Sequence, residues 1–339
     1  MVRRINMKKI PLFFGLSGMV LIISACGQGG NDEQATSNEA YKLNVGIAMN
    51  DRDPMYEGIV RFKEAVEART EGGVEIEVFS SSQLGSTADL LEQARVGANV
   101  ATLTDAGPLG DIVREISILQ APYIVDNLDE GRQLVASDLF KEWQANLEPE
   151  GVKVLSFNWF QGERHLATTR SVLTPDDLSG MAIRTNGTSI VNKAIEVMGG
   201  NPTGLAWAES YPGLQQGVID GVEAHYSAIH GARLPEVVDS IAKTGHFQLL
   251  TALTVGTQWF DRLPSEYQKI LIEESVEAGE YASGLNVERS REYEEEMTAQ
   301  GVNINQVDIA LFREKADRFY DEFEGFKALR EEVDEYLDK

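Results

Sequence analysis

The chain has 339 residues, a formal net charge of −24 and a single cysteine. A surface this acidic repels phosphate backbones, which excludes nucleic acid as a natural partner. One cysteine excludes an internal disulfide, and 42% hydrophobic residues over this length are enough for about two domains of ordinary size.

The N-terminus has the pattern of an export signal over residues 1–25. Basic residues at 3–9 precede an apolar stretch over 10–23, and the small residues Ser24 and Ala25 come directly before Cys26. A transmembrane helix needs about 20 apolar residues, so this stretch is too short for a permanent anchor. The run from Leu21 to Cys26 resembles the lipobox of bacterial lipoproteins, which implies cleavage before Cys26 and a lipid on its thiol. The alternative is an ordinary secretory peptide with an incidental cysteine.

The segment after the cysteine, residues 26–40, is rich in Gly, Asn, Ser and acids and is predicted to be a flexible tether. The folded body therefore begins near Tyr41. With the lipid, the tether would hold this body at the outer face of a membrane, which makes the protein an extracytoplasmic, membrane-anchored lipoprotein.

The first part of the body alternates strands with helices. Strands are predicted over 42–49, 74–79 and 100–104, and helices over 55–69 and from Ser86 onward. This order predicts an α/β body with a mostly parallel sheet. Ligands bind beyond the carboxyl ends of strands in such sheets, so the loops after Met49, Phe79 and Thr104 are candidate ligand loops.

A second α/β unit follows in the sequence. A helix is predicted over 127–147, strands over 152–159, 180–185, 218–223 and 240–247, and helices over 189–198 and 210–216. Residues 264–300 have a helical pattern that is longer than a typical globular helix. A single helix or a tandem pair of this length would brace two lobes.

The sequence contains no specific enzyme motif. Its four histidines show no metal-binding spacing, and the body has no phosphate loop or dinucleotide fingerprint. The pattern therefore favours a protein that is not an enzyme, with no cofactor and no metal site.

Several strings, in order along the chain, resemble the solute-binding subunit of TRAP transporters, the tripartite ATP-independent periplasmic family of the dicarboxylate-binding type. The strings are VEIEVFSSSQLGS (74–86), GPLGDIV (107–113), GERHLATT (162–169), TPDDLSGMAIRTNG (174–187), GGNPT (199–203) and AESYPGLQQGVIDGVEA (208–224). With the C-terminal helices, the resemblance covers the whole body.

The resemblance implies a two-lobed α/β fold like that of periplasmic binding proteins, with hinge strands and a long bracing C-terminal helix. Lobe I would comprise 41–161 with about 250–290, and lobe II 162–249 with about 291–339. One organic acid, a sugar acid or a dicarboxylate, would bind in the cleft, and closure on it would be a hinge motion. Membrane subunits of the transporter would receive the loaded protein and use an ion gradient.

Two arginines match positions that bind the substrate carboxylate in this family. Arg184 lies in the string GMAIRT, and its planar guanidinium fits two carboxylate oxygens. The alternative is a strand arginine paired with a neighbouring acid. Arg164 matches a second family arginine, and its alternatives are to orient Arg184 or a hydroxyl network.

Further residues are expected at the ligand by the same resemblance. Trp207 is expected to pack on the carbon skeleton of the substrate, with a role in the apolar core as the alternative. Residues of the strand-end loops are predicted to line the cleft unless they only satisfy local backbone groups: Asn50, Ser86, Thr87, Thr104 and Asp105.

The chain departs from the family after Glu223, which is itself a predicted ligand contact. Many relatives have an asparagine where this chain has Ala224, so His225 or Tyr226 is expected to supply the missing polar contact. Extra hydrogen-bonding groups suit a hydroxylated acid, whereas a dicarboxylate would require Arg164 to take the second carboxylate. The competing function classes are a sensor that signals to a membrane kinase and a secreted enzyme that acts on acids.

Overall fold

The computed structural model describes residues 40–339. The predicted export signal, Cys26 and the tether up to residue 39 lie outside this range. Within it, no helix is long and apolar enough to cross a membrane.

Eleven strands and twelve α-helices can be assigned within residues 40–339. The strands are β1 (Tyr41–Gly46), β2 (Val74–Phe79), β3 (Val100–Asp105), β4 (Val152–Glu163), β5 (His165–Thr168), β6 (Ala182–Thr185), β7 (Asn201–Gly204), β8 (Gly221–Ala224), β9 (Ser240–Ala242), β10 (Gln248–Gly256) and β11 (Asn303–Asn305). The α-helices are α1 (Pro54–Arg69), α2 (Thr87–Arg95), α3 (Ala106–Gly110), α4 (Leu128–Ala136), α5 (Asp138–Ala145), α6 (Ser189–Met198), α7 (Ser210–Gln215), α8 (Tyr226–Gly231), α9 (Thr257–Phe260), α10 (Ser265–Ala299), α11 (Ile309–Glu322) and α12 (Phe326–Tyr336).

Capping residues determine where the first helices begin. Asp53 accepts a hydrogen bond from the Met55 amide at 2.8 Å, and α1 begins at Pro54, whose fixed φ suits a first helical position. Ser86 and Asp89 form a reciprocal capping box at the start of α2. Both caps follow strand ends, so the helix starts lie at the same edge of the sheet.

The fold is two-lobed and α/β, with one sheet in each lobe. The first sheet has the order β2-β1-β3-β10-β4, and the second has the order β11-β9-β5-β8-β6-β7. The chain passes from the first sheet to the second where β4 ends and β5 begins, on either side of Arg164. It returns to the first sheet between β9 and β10. The hinge strands are therefore β4 with β5 and β9 with β10.

The prediction of a mostly parallel sheet is wrong for the hinge strands. Within residues 40–339, every antiparallel pair involves β5 or β10, while the β1, β2 and β3 pairs and the β6, β7 and β8 pairs are parallel. β5 and β10 each follow a crossing of the chain between the two sheets. Each of them enters its new sheet in the direction opposite to its neighbours, and its pairs are therefore antiparallel.

The long C-terminal pattern forms one continuous helix, α10, rather than a tandem pair. Its first half packs Ile270, Leu271 and Ala278 into the core under β1 and α1. Its last turns pack Tyr293 and Met297 into the core of the second lobe. The helix therefore braces both lobes.

Two predicted elements differ from the structure. The helix predicted over 127–147 is two helices, because the Ser137 side chain accepts from the Phe140 amide at 3.0 Å and so caps a new helix. The strand predicted over 240–247 ends at Ala242, and the fully buried β10, over 248–256, was missed.

The last helix, α12, contributes to an apolar cluster that has members from both lobes. Its buried side chains Phe326, Leu329 and Val333 share this cluster with Phe140 of the β3–β4 connection and with Val191 of α6. The assignment of residues up to 339 to lobe II stays a prediction.

Candidate ligand-binding site

A cavity of about 250 Å³ lies between the lobes, at the carboxyl ends of β1, β3, β6 and β8. Both lobes and the hinge strand β4 contribute to its wall. The polar and aromatic lining residues are Ser82, Ser86, Thr87, Asp105, Gln161, Arg164, Arg184, Asn186, Trp207 and His225. The structure thus brings together at one cavity Arg184, Arg164, Trp207, Ser86, Thr87, Asp105 and His225 of the predicted site residues.

Arg184 is held in place by backbone and ring contacts. It lies on β6 and is 5% exposed, its Nε donates to the Leu205 carbonyl at 2.9 Å, and its guanidinium lies 5.2 Å from the centre of the Trp207 ring. Burial lowers its pKa to about 10, so it stays charged at neutral pH. No hydrogen bond or ion pair within residues 40–339 engages its terminal nitrogens, so the charged fork is available to an anion.

Arg164 is engaged by an acid of the neighbouring strand. Its Nε donates to Glu223 Oε2 at 2.6 Å, and its Nη2 donates to Glu223 Oε1 and, at 3.0 Å, to the Glu223 carbonyl. Glu223 is fully buried on β8 and does not line the cavity, contrary to the prediction that it contacts ligand. Its carboxylate neutralises Arg164 instead.

His225 lies beside the pair of Arg164 and Glu223 and is uncharged. Its Nδ1 lies 3.4 Å from Arg164 Nη1, and because a guanidinium can only donate, Nδ1 accepts and the proton is on Nε2. Burial, followed by the charge of Arg164, lowers the pKa of His225 well below its usual value. The cavity wall therefore has an uncharged imidazole at the position after Ala224.

Asp105 lines the same cavity as the two arginines and lies at the carboxyl end of β3. Its side chain caps no amide of α3 and forms no salt bridge with either arginine. Burial raises the pKa of Asp105, and the charges of Arg164 and Arg184 oppose that rise. An acid thus shares a cavity with two arginines without being paired to either.

Besides Glu223, three other predicted site residues do not line this cavity: Asn50, Thr104 and Tyr226. The Asn50 amide donates to the Gly231 carbonyl at 2.9 Å and lines a neighbouring cavity. Thr104 is fully buried, with its hydroxyl 2.8 Å from that of Thr254. Tyr226 lines a separate cavity on another side of the hinge, its ring 4.8 Å from that of His165.

The sequence reasoning missed Ser82, Gln161 and Asn186. Asn186 follows Arg184 by two positions at the end of β6, and a strand-end rule applied to the second lobe would have found it. Gln161 gives no such signal, since it lies inside the long hinge strand and donates to the Thr251 hydroxyl at 3.1 Å. Only the crossing of that strand between lobes puts it in the cavity wall.

No group of three or more His, Cys, Asp or Glu side chains within residues 40–339 is placed to hold a metal ion. The arrangement instead has one unpaired guanidinium, several hydroxyl and amide groups and an aromatic ring. These groups can bind a carboxylate and hydrogen-bond the atoms next to it.

Comparison with known proteins places the chain among binding proteins. Residues 45–325 match the model of the DctP family, described as bacterial extracellular solute-binding protein, family 7. A TRAP periplasmic solute-binding protein from Actinobacillus succinogenes with bound L-galactonate is 31% identical, with a TM-score of 0.85 over 88% of this chain and 99% of that one. One from Ochrobacterium anthropi with bound L-fuconate has the same identity, TM-score and coverage.

An apo open structure from Escherichia fergusonii is more similar in sequence but less similar in shape. It is 34% identical, with a TM-score of 0.76 over 87% of this chain and 99% of that one. The two ligand-bound neighbours are therefore more similar to this chain in overall shape than the open structure is.

Proposed function

The chain belongs to family 7 of the bacterial extracellular solute-binding proteins, the DctP family, and from this premise we propose that it captures an organic acid anion between its lobes. It then delivers the anion to the membrane subunits of a TRAP transporter, which uses an ion gradient for uptake. Binding and release leave the acid chemically unchanged, so the protein is not an enzyme.

The observation that carries this proposal is the state of Arg184. Its terminal nitrogens face a cavity between the lobes with no protein acid paired to them, and Leu205 and Trp207 hold the guanidinium in position. A buried guanidinium without a partner is unfavourable, and a ligand carboxylate with two oxygens in its plane supplies that partner.

A sugar acid is the substrate class that the cavity supports best. The related proteins from Actinobacillus succinogenes and Ochrobacterium anthropi hold L-galactonate and L-fuconate. Ser82, Ser86 and Asn186 offer groups that hydrogen-bond hydroxyls. A dicarboxylate would need a second free cation, and Arg164 is already paired with Glu223.

The proposal includes the cellular location of the protein. The basic and apolar N-terminus and Cys26 support export followed by lipid attachment, which would tether the binding lobes close to the transporter. Labelling cells with a radioactive fatty acid tests this step. The wild-type protein should take up label, whereas a Cys26→Ser variant should take up none; equal labelling of both would contradict it.

The test of ligand capture is calorimetric titration of the purified protein with aldonates, uronates, dicarboxylates and matching neutral sugars. At least one hydroxylated acid should bind, and its neutral counterpart should not. Arg184→Ala should weaken binding by more than about 100-fold, because it removes a charged hydrogen-bonded pair from a buried site.

Arg291→Ala is the matched control, since the side chain of that arginine is 88% exposed on α10 and does not line the cavity. It should bind like wild type, and both variants should unfold as cooperatively as the parent. Near-normal affinity in Arg184→Ala, or equal binding of neutral sugars, would overturn the proposal.

A further inference from the structure

We infer that Asp105 determines which acids the cavity accepts: it receives hydrogen bonds from ligand hydroxyls and excludes a second carboxylate. This inference rests on the proposed function and adds a selection between one-carboxylate and two-carboxylate acids. Three observations carry it: the position of Asp105, the absence of an ion pair between it and either arginine within the described chain, and the charge balance of the cavity.

The position of Asp105 makes it available to a ligand. It is the last residue of β3 and lines the same cavity as both arginines. Residues at such a position often cap the following helix, but the Asp105 side chain accepts no amide hydrogen bond from α3. Gln120 and Asn186 are the polar side chains beside it.

No ion pair to Asp105 would have to break before a ligand binds. Each of Arg164 and Arg184 is close enough to influence the Asp105 carboxylate electrostatically, yet neither forms a salt bridge with it within the described chain. A carboxylate bound by Arg184 would therefore occupy one side of the cavity. The rest of the molecule would extend along the space in front of Asp105.

The charge balance argues for a single ligand carboxylate. The charged residues that line the cavity are Arg164, Arg184 and Asp105, and Glu223 already neutralises Arg164. One ligand carboxylate balances Arg184 and leaves Asp105 as the only surplus charge. A second carboxylate would meet no cation and would face Asp105, and like charges in a desolvated site weaken binding strongly.

A ligand hydroxyl beside Asp105 strengthens binding, whereas a ligand carboxylate there weakens it. An ionised carboxylate only accepts hydrogen bonds, and its oxygens have room for several donors. A hydroxyl at the far end of a sugar acid can donate to Asp105, and such a charge-assisted bond is stronger than a neutral one. The same residue thus favours an alcohol and rejects a carboxylate at the same end of the ligand.

The test compares acids that differ only at that end. L-Galactonate and galactarate have the same carbon skeleton, with a primary alcohol in the first replaced by a carboxylate in the second; gluconate and glucarate form another such pair. Calorimetry should give wild-type protein at least about 100-fold tighter binding of the one-carboxylate acid in the pair that binds. In Asp105→Asn the ratio of the two affinities, one-carboxylate acid over two-carboxylate acid, should fall at least tenfold, mainly because the two-carboxylate acid binds better.

Asp51→Asn is the control, because it removes an equal charge and Asp51 is an exposed residue that does not itself line this cavity. Its ratio should match wild type. If Asp105 only balances the arginines, Asp105→Asn will change both affinities by the same factor and the inference is overturned. Equal wild-type binding of both acids overturns it as well, while leaving the proposed function intact. Failure of every acid in the wider panel to bind overturns the proposed function itself.

Discussion

At the scale of single residues, the buried pair of Arg164 and Glu223 connects stability to the site. Glu223 is fully buried on β8, the strand that pairs with β5, and its carboxylate accepts a hydrogen bond from the Arg164 guanidinium. Removing one partner of a buried ion pair leaves the other charge without compensation, which is more costly than losing an exposed pair. The pair therefore keeps Arg164 in the cavity wall as a neutralised group.

We expect Glu223→Gln to lower the free energy of unfolding by about 3 kcal/mol, because Arg164 is left charged and buried. Urea unfolding monitored by circular dichroism measures this change. Glu236→Gln, which removes an acid from an exposed pair with Arg233, should unfold almost like wild type. Equal, small changes in both variants would mean that Arg164 finds another partner.

The residue scale also separates what the sequence can predict from what it cannot. The expectation that Arg184 contacts the ligand comes from the family resemblance of the string GMAIRT, at the end of a predicted strand. Glu223 also lies near a strand end, and no local pattern distinguishes a residue that faces the ligand from one that faces the arginine behind it. That difference depends on the pairing of β8 with β5, which brings the two strands side by side.

At the scale of elements, α1 and α10 pack at a distance that only small residues allow. A β-carbon at Gly58 would lie 2.6 Å from the Ala282 β-carbon and 2.9 Å from the Trp159 ring. Alanine is favoured over glycine inside a helix by about 1 kcal/mol, but overpacking a rigid contact costs about 1–3 kcal/mol. The contact therefore outweighs the helix propensity.

We expect Gly58→Ala to lower the free energy of unfolding by up to about 2 kcal/mol, measured in urea. The control is Gly284→Ala in α10, where a β-carbon would meet no atom within 4 Å. That variant should gain about 0.5–1 kcal/mol from helix propensity alone. A gain in both variants would show that the two helices separate easily.

Element types and bounds were predicted best where the hydrophobic periodicity is clear, as in β2 and α6. Prediction failed for β10, whose residues are all buried and so show no alternation between faces. It also failed at Ser137, where a cap inside an apparently continuous helical pattern starts a second helix. Local patterns predict elements but not the strand that crosses between sheets.

At the scale of the whole molecule, buried neutral histidines make stability depend on pH. Burial lowers the pKa of His165 to about 3, and it lowers the pKa values of His225 and His246 well below their usual value. Below about pH 6.5 the unfolded chain binds protons that the folded chain does not, so each histidine favours unfolding as the pH falls. Asp53 has the opposite sign, because burial raises its pKa to about 6.

Comparison of a variant with wild type isolates one histidine from these opposing groups. His165 Nδ1 accepts from the Gly245 amide at 3.2 Å, and an asparagine oxygen can replace that acceptor. Between pH 6 and pH 4, His165→Asn should reduce the fall in unfolding free energy by up to about 1.4 kcal/mol per pH unit. An unchanged slope in His165→Asn would mean that His165 is protonated in the folded state.

The location of Gln161 and Arg164 has a consequence for how binding can evolve. These residues lie in the wall of the cavity and also on the chain segment that joins the lobes. We expect a substitution there to change ligand affinity and the rate of opening together, so that tighter capture comes with slower release. Ser82 and Asn186 each belong to one lobe alone. New substrate preferences should therefore arise first at such positions, where selection can alter recognition without slowing transport.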